Sequence, residues 1–228
     1  DWSSDVCSSY LRKVYGILSV QLLFTAAFVA LFMTVPALKD FIINSVFSNL
    51  CFYLSMITMI VTMCLMGCCV EFVRKVPTNY IMLGLFTLSQ AYSVAIICVL
   101  VDNPTIVGLA ALLTAGMTIS LTFLAWRSKN DISLSSAIFY VSMTSIILSF
   151  CCYFFISSFN GAHLFFSLIF LIGYGIYLFY DTQLIIQDSR YALTVDDYIV
   201  GALLIYVDII VIFLRILQVL AYFASKRN

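Results

Sequence analysis

Seven stretches of this chain are apolar over about 20 residues or more, enough for each to cross the hydrocarbon core of a bilayer as a helix. They fall near 15–36, 50–70, 79–101, 105–126, 134–157, 164–187 and 198–223. Lipid offers no hydrogen bonds, so each segment must satisfy its own backbone N–H and C=O groups, and such spans are helical. The spans consume nearly all of the 228 residues. That leaves no room for a separate soluble domain and predicts one transmembrane domain over 1–228. The composition is 64% hydrophobic and 10% charged, whereas a soluble domain is nearer half apolar and a quarter charged. The expected fold class is therefore an all-α integral membrane protein with seven transmembrane helices.

The punctuation fits these boundaries. Pro36, Pro77 and Pro104 sit at span edges, where a missing N–H is tolerated. Asn44, Asn103, Asn130 and Asn160–Gly161 supply turn chemistry between spans. The small residues of GLAALLTAG at 108–116, with Gly173 and Gly175, suit close helix packing. Basic residues set the orientation. With the N-terminus cytoplasmic, inside segments hold Arg12, Lys13, Arg74, Lys75, Arg127, Lys129 and Arg190, against Lys39, Lys226 and Arg227 outside. Lys226 and Arg227 would prefer the inside, which six spans plus a re-entrant last segment would give them. The 198–223 stretch is long enough to cross, so seven full spans rank first.

Several function classes drop out early. The formal net charge is zero and no basic run of the nucleic-acid-binding kind occurs. Seven of the eight cysteines lie in apolar text without metal-ligand spacing, so no stable metal site is expected. Cys68 and Cys69, near a membrane surface, are alternatively sites for palmitoylation. The opening DWSSDVCSS is short and polar and carries no signal-peptide pattern. His163 reads as an interfacial polar residue, and Asp196–Asp197 as a helix cap.

Two aspartates resist a bland explanation. Asp181 in LFYDTQLII and Asp208 in LLIYVDIIVIFLRIL lie inside the last two spans. A carboxylate at the bilayer centre costs roughly 3 kcal/mol or more, so it is kept there when it is paired, wet or used. A short loop joins the two spans, so they are expected to be antiparallel neighbours with the aspartates at similar depth. Two carboxylates at hydrogen-bond distance in a low dielectric cannot both ionise easily; they share a proton and titrate as a pair. Tyr180, Thr182 and Gln183 flank the first and Tyr206 precedes the second. Arg215 lies two turns beyond Asp208, about 10 Å along the axis and too far for a direct pair. Glu71 and Arg74 are three apart and could pair with each other, or Arg74 could reach the dyad. The plain reading of Arg74–Lys75 is a topology anchor.

Four segments in order carry a family resemblance: LRKVYGILSVQLLFT, CCVEFVRKVPTNYIMLGLFTLSQAYSVA, YDTQLII and GALLIYVDIIVIFLRIL. Over nearly its whole length the chain resembles a Bax-inhibitor (transmembrane Bax inhibitor motif) protein of the eukaryotic lifeguard type. The resemblance implies a seven-helix fold whose last helix is enclosed by the others. It implies a pH-sensitive calcium leak across endomembranes, endoplasmic reticulum or Golgi, and a role in restraining apoptosis. It also implies a pH-sensing pair at Asp181 and Asp208 and a closing latch at Arg74. Calcium is then cargo, no cofactor is required, and the partners are lipid, calcium ions, protons and cell-death regulatory membrane proteins. The chain departs from the family at Val207, Val211 and Ile212, where Leu, Asn and Leu are usual; losing that Asn removes a polar group one turn beyond Asp208.

Competing readings weaken on particular residues. An intramembrane aspartyl protease also places Tyr-Asp on one helix and Asp on the next, but Ile205-Tyr206-Val207-Asp208 has no glycine for close substrate approach. A retinal-type pump needs a lysine buried in the last span, and none precedes Lys226. The chain is therefore expected not to be an enzyme. A membrane scaffold that binds cell-death regulators without transport is the alternative.

Overall fold

The computed structural model describes residues 4–68, 77–127, 169, 172–173, 175–176 and 198–225. Six helices are bounded among them: α1 (Ser4–Thr34), α2 (Pro36–Asn44), α3 (Val46–Cys68), α4 (Thr78–Val101), α5 (Pro104–Arg127) and α6 (Tyr198–Ser225). No strand occurs among the described residues. Four helices are long and apolar enough to cross a membrane: Arg12–Thr34, Thr78–Val101, Pro104–Phe123 and Tyr198–Tyr222. A fifth span arises if the bent pair α2–α3 counts as one. The protein is thus a multi-pass membrane protein, helical throughout its described spans. The expected spans 134–157 and 164–187 lie essentially outside the described residues.

The spans 79–101, 105–126 and 198–223 begin and end close to their expected limits, while α1 and α3 begin earlier, at Ser4 and Val46. The window 15–36 was expected to run into Pro36; instead α1 stops at Thr34 and Pro36 opens a separate helix at its first turn. A proline there lacks only an N–H that would have no intrahelical partner. After Asn44 the chain breaks again at Ser45, and α2 and α3 meet at 82°. At the other end of α4, Asp102 takes a left-handed conformation, φ 50°, and its N–H donates to the Cys98 and Val99 carbonyls. Asp is one of the few residues besides Gly that enters this region readily. Its carboxylate pairs with Lys39 of α2.

The chain divides into two compact units. The first comprises residues 1–104 and 193–206. Within it α4 packs against both α1 and α3. The buried residues of α1 are Val14, Leu18, Gln21, Thr25, Val29 and Phe32, a stripe spaced by three and four. α3 reverses the soluble pattern: it buries Ser48, Ser55 and Thr62, seven apart, and exposes Leu50, Leu54, Ile57 and Ile60. Lipid is as apolar as leucine, so helices associate through small and hydroxylated residues that allow close approach and hydrogen bonding. Ser55 and Ser93 meet across α3 and α4 at 3.0 Å, and Ser48 meets Tyr92 at 3.1 Å.

The second unit comprises residues 105–192 and 207–228. α5 buries Val107, Ala110, Thr114, Met117 and Leu121, again by threes and fours. Among the described residues the close packing expected of GLAALLTAG rests on Ala110 and Thr114, since none of them lies within 4 Å of a Cβ built on Gly108 or on Gly173. α6 gives its first nine residues, Tyr198–Tyr206, to the first unit and the rest to the second. From Ile199 to Phe213 its buried residues occupy every side of the helix, as a helix apolar all round requires.

Candidate functional site

Three helices of the first unit, α1, α4 and the start of α6, are joined at two polar levels. At the starts of α4 and α6, the Lys13 ammonium of α1 lies 5.2 Å from the centre of the Tyr198 ring, and the Tyr80 and Tyr198 hydroxyls are 3.0 Å apart. Seven or eight residues beyond Lys13, Tyr80 and Tyr198 come Gln21, Thr87 and Tyr206, and with Thr25 one turn past Gln21 they form the second level. There Gln21 Nε2 donates to Thr87 Oγ1 at 2.9 Å, and the Thr25 and Tyr206 hydroxyls are 2.8 Å apart. Matching levels on matching positions mean the three helices run parallel, with the levels about 12 Å apart by helical rise.

The proton inventory of the second level is determinate. Thr25 donates to the Gln21 carbonyl one turn back, at 2.8 Å, which uses its only proton. Tyr206 is therefore the donor toward Thr25. Thr87 likewise spends its proton on the Leu83 carbonyl at 2.8 Å, so it receives from Gln21. Bonding a hydroxyl to the i−4 carbonyl is how Thr is accommodated in an apolar helix. Tyr206 is fully buried, and its ring meets Phe86 edge-on with centroids 6.4 Å apart.

Asp208 follows Tyr206 by two positions, about 200° around the same helix. It is 5% exposed and is the one carboxylate buried among the described residues. The helix around it is apolar: Ile209, Ile210, Ile212 and Phe213 are buried as well. Two turns on, Arg215 Nη1 donates to Gln218 Oε1 at 3.2 Å on its own helix. Asp181, Tyr180 and Gln183 lie outside the described residues, as do Arg74 and Glu71. Of the residues singled out from sequence, the structure thus gives surroundings for Asp208, Tyr206 and Arg215. It assigns Tyr206 to Thr25 rather than to a carboxylate.

Gln21, Thr25 and Thr87 were passed over in the sequence. The signal was present: a Gln and a Thr four apart in QLLFT share a helix face inside an apolar span, as an unsupported polar pair would not. No group of three or more His, Cys, Asp or Glu capable of holding a metal occurs among the described residues.

Comparison with known proteins adds the lineage. The family model described as inhibitor of apoptosis-promoting Bax1 matches residues 7–225. Protein lifeguard 3 of Homo sapiens is 32% identical over 226 residues, covering 96% of this chain and 71% of that protein. Protein lifeguard 3 of Mus musculus is 31% identical over 228 residues, with the same coverage. Protein LIFEGUARD 2 of Arabidopsis thaliana is 31% identical over 222 residues, covering 96% of this chain and 89% of that protein. No solved structure matches the chain.

Proposed function

The chain belongs to the Bax-inhibitor family, in its eukaryotic lifeguard branch, and from that premise we propose that it is a pH-sensitive calcium leak of endomembranes that restrains apoptosis. The family's description as an inhibitor of apoptosis-promoting Bax1 supports the second half of that reading. The observation that carries the first is Asp208, a carboxylate 5% exposed among the buried apolar residues Ile209, Ile210, Ile212 and Phe213 of its helix. Holding it there is costly, and handling charge is the use that offsets the cost.

In the proposed mechanism Asp181 and Asp208 share a proton while Arg74 holds one carboxylate and the cytoplasmic half of the pathway is shut. Deprotonation adds like-charge repulsion, the latch releases, and calcium finds oxygen ligands along the path. Calcium is cargo; the chain needs no resident cofactor and catalyses no reaction. The N-terminus is cytoplasmic in this reading, which the basic residues Arg12 and Lys13 at the start of α1 support. Parallel α4 and α6 require an odd number of crossings between them. α5 and the apolar windows 134–157 and 164–187 supply three, in keeping with seven spans.

Calcium flux from proteoliposomes at several pH values tests the reading, with wild type beside Asp181→Asn and Asp208→Asn. Flux should rise with pH in the wild type and lose that rise in both variants. Unchanged flux and unchanged pH response in both variants would sink the proposal.

A further inference from the structure

We propose that a single internal water is bound at the Gln21 side-chain amide, within the membrane-spanning part of the bundle, donating to Gln21 Oε1. Gln21 is 4% exposed, and its Oε1 has no hydrogen-bond partner among the described residues. The surrounding hydroxyls cannot supply one. The Thr25 proton goes to the Gln21 carbonyl, the Tyr206 proton to Thr25, and the Thr87 proton to the Leu83 carbonyl. Turning the amide round does not help. Its oxygen would then face Thr87, whose proton is already committed, and its NH2 would be the orphan. The order Nε2 toward Thr87 is thus the better one, and the amide oxygen requires a donor from outside the cluster.

The chemistry of the level selects the donor. Its groups are neutral: an amide, two aliphatic hydroxyls and a phenol, with Phe86 against the Tyr206 ring. A dehydrated calcium ion wants about six oxygens, several of them charged, and none of the four side chains Gln21, Thr25, Thr87 and Tyr206 carries a charge. A neutral guest that donates and accepts, and is small enough to be enclosed, is water, which settles in polar buried sites offering two to four partners. The lone pairs left on the Tyr206 and Thr87 oxygens accept its second proton. This assignment is independent of whether the protein transports calcium.

X-ray radiolytic footprinting of the full chain in lipid nanodiscs, read by mass spectrometry, tests the site. An ordered water is split in place and oxidises the aromatic rings beside it, even where bulk solvent does not reach. Phe86 and Tyr206, 2% and 0% exposed, should be labelled, while fully buried Met117, the more reactive side chain, stays unlabelled as control. Gln21→Leu should lower the Phe86 and Tyr206 labelling several-fold. Gln21→Met serves if the leucine variant does not fold. Wild-type rings no more labelled than Met117 would overturn the assignment without any variant. Labelling that persists unchanged in a folded Gln21 variant would overturn it too, because the water would then arrive by another route.

Discussion

The Tyr206 hydroxyl donates to the Thr25 hydroxyl at 2.8 Å across 181 residues of chain. That bond fixes the rotation of α6 about its own axis relative to α1. Asp208 lies about 200° around the same helix from Tyr206.

Removing the two ends of this bond should have unequal effects. Tyr206→Phe leaves Thr25 still bonded to the Gln21 carbonyl and costs about 0.5–1 kcal/mol. Thr25→Val strands the buried Tyr206 hydroxyl and costs about 1–3 kcal/mol. Thermal unfolding in detergent should rank Thr25→Val below Tyr206→Phe, and the double variant should lose less than the sum of the two. Equal losses that simply add would mean the bond is not made.

Neutralising Asp208 tests its charge apart from its shape. Asp208→Asn keeps the side-chain outline and removes the carboxylate's charge. Under the proposed function the same variant loses most of the rise in calcium flux with pH. A folded, stable Asp208→Asn protein with a full pH response would separate this carboxylate from gating.

Asp102 combines a left-handed backbone with an exposed ion pair to Lys39, and two substitutions tell these roles apart. Asp102→Ala loses the pair and strains a φ that costs a residue with a Cβ about 1–2 kcal/mol. Asp102→Gly loses the pair but relieves the backbone, and an exposed pair is worth roughly 0.2–1 kcal/mol. Melting temperatures should therefore order wild type near glycine, with alanine clearly lower. Raising the salt concentration should narrow the gap between wild type and glycine and leave the alanine penalty in place.

The hydroxyl seam between α3 and α4 predicts a reversal of the usual core rule. Ser55→Leu adds apolar volume where Ser55 and Ser93 sit 3.0 Å apart, and overpacking there costs about 1–3 kcal/mol. Ile57→Leu, on the exposed face of α3, should be neutral. Unfolding in mixed detergent checks both; a neutral Ser55→Leu would mean α3 and α4 do not approach through this seam.

Much of the fold was legible in the text of the chain. The windows 79–101, 105–126 and 198–223 lie within three residues of α4, α5 and α6 at both ends, and Pro36, Pro77 and Pro104 all fall at helix starts. Asp208 stood out because a carboxylate among Ile and Val is conspicuous at a single position. Gln21, Thr25 and Thr87 did not, since isolated Gln and Thr are common in membrane helices and become a cluster only when α1, α4 and α6 are set side by side. The turn at Ser45 was marked by Asn44 beside it, but its angle was not: no proline or glycine sets the 82° bend.

What the sequence determined by itself is the solvent and the secondary structure: this chain must lie in a bilayer, in helices, with Asp208 inside one of them. Those conclusions rest on apolar runs and on the need to satisfy the backbone in lipid, both local properties that add along the chain. Only the tertiary structure decided which hydroxyl meets which, that Tyr206 serves Thr25, and that one end of the Gln21 amide is left over. Such pairings depend on how each helix is rotated and at what depth it meets its neighbours. Those quantities are set by packing among segments far apart in sequence, and no single segment encodes them.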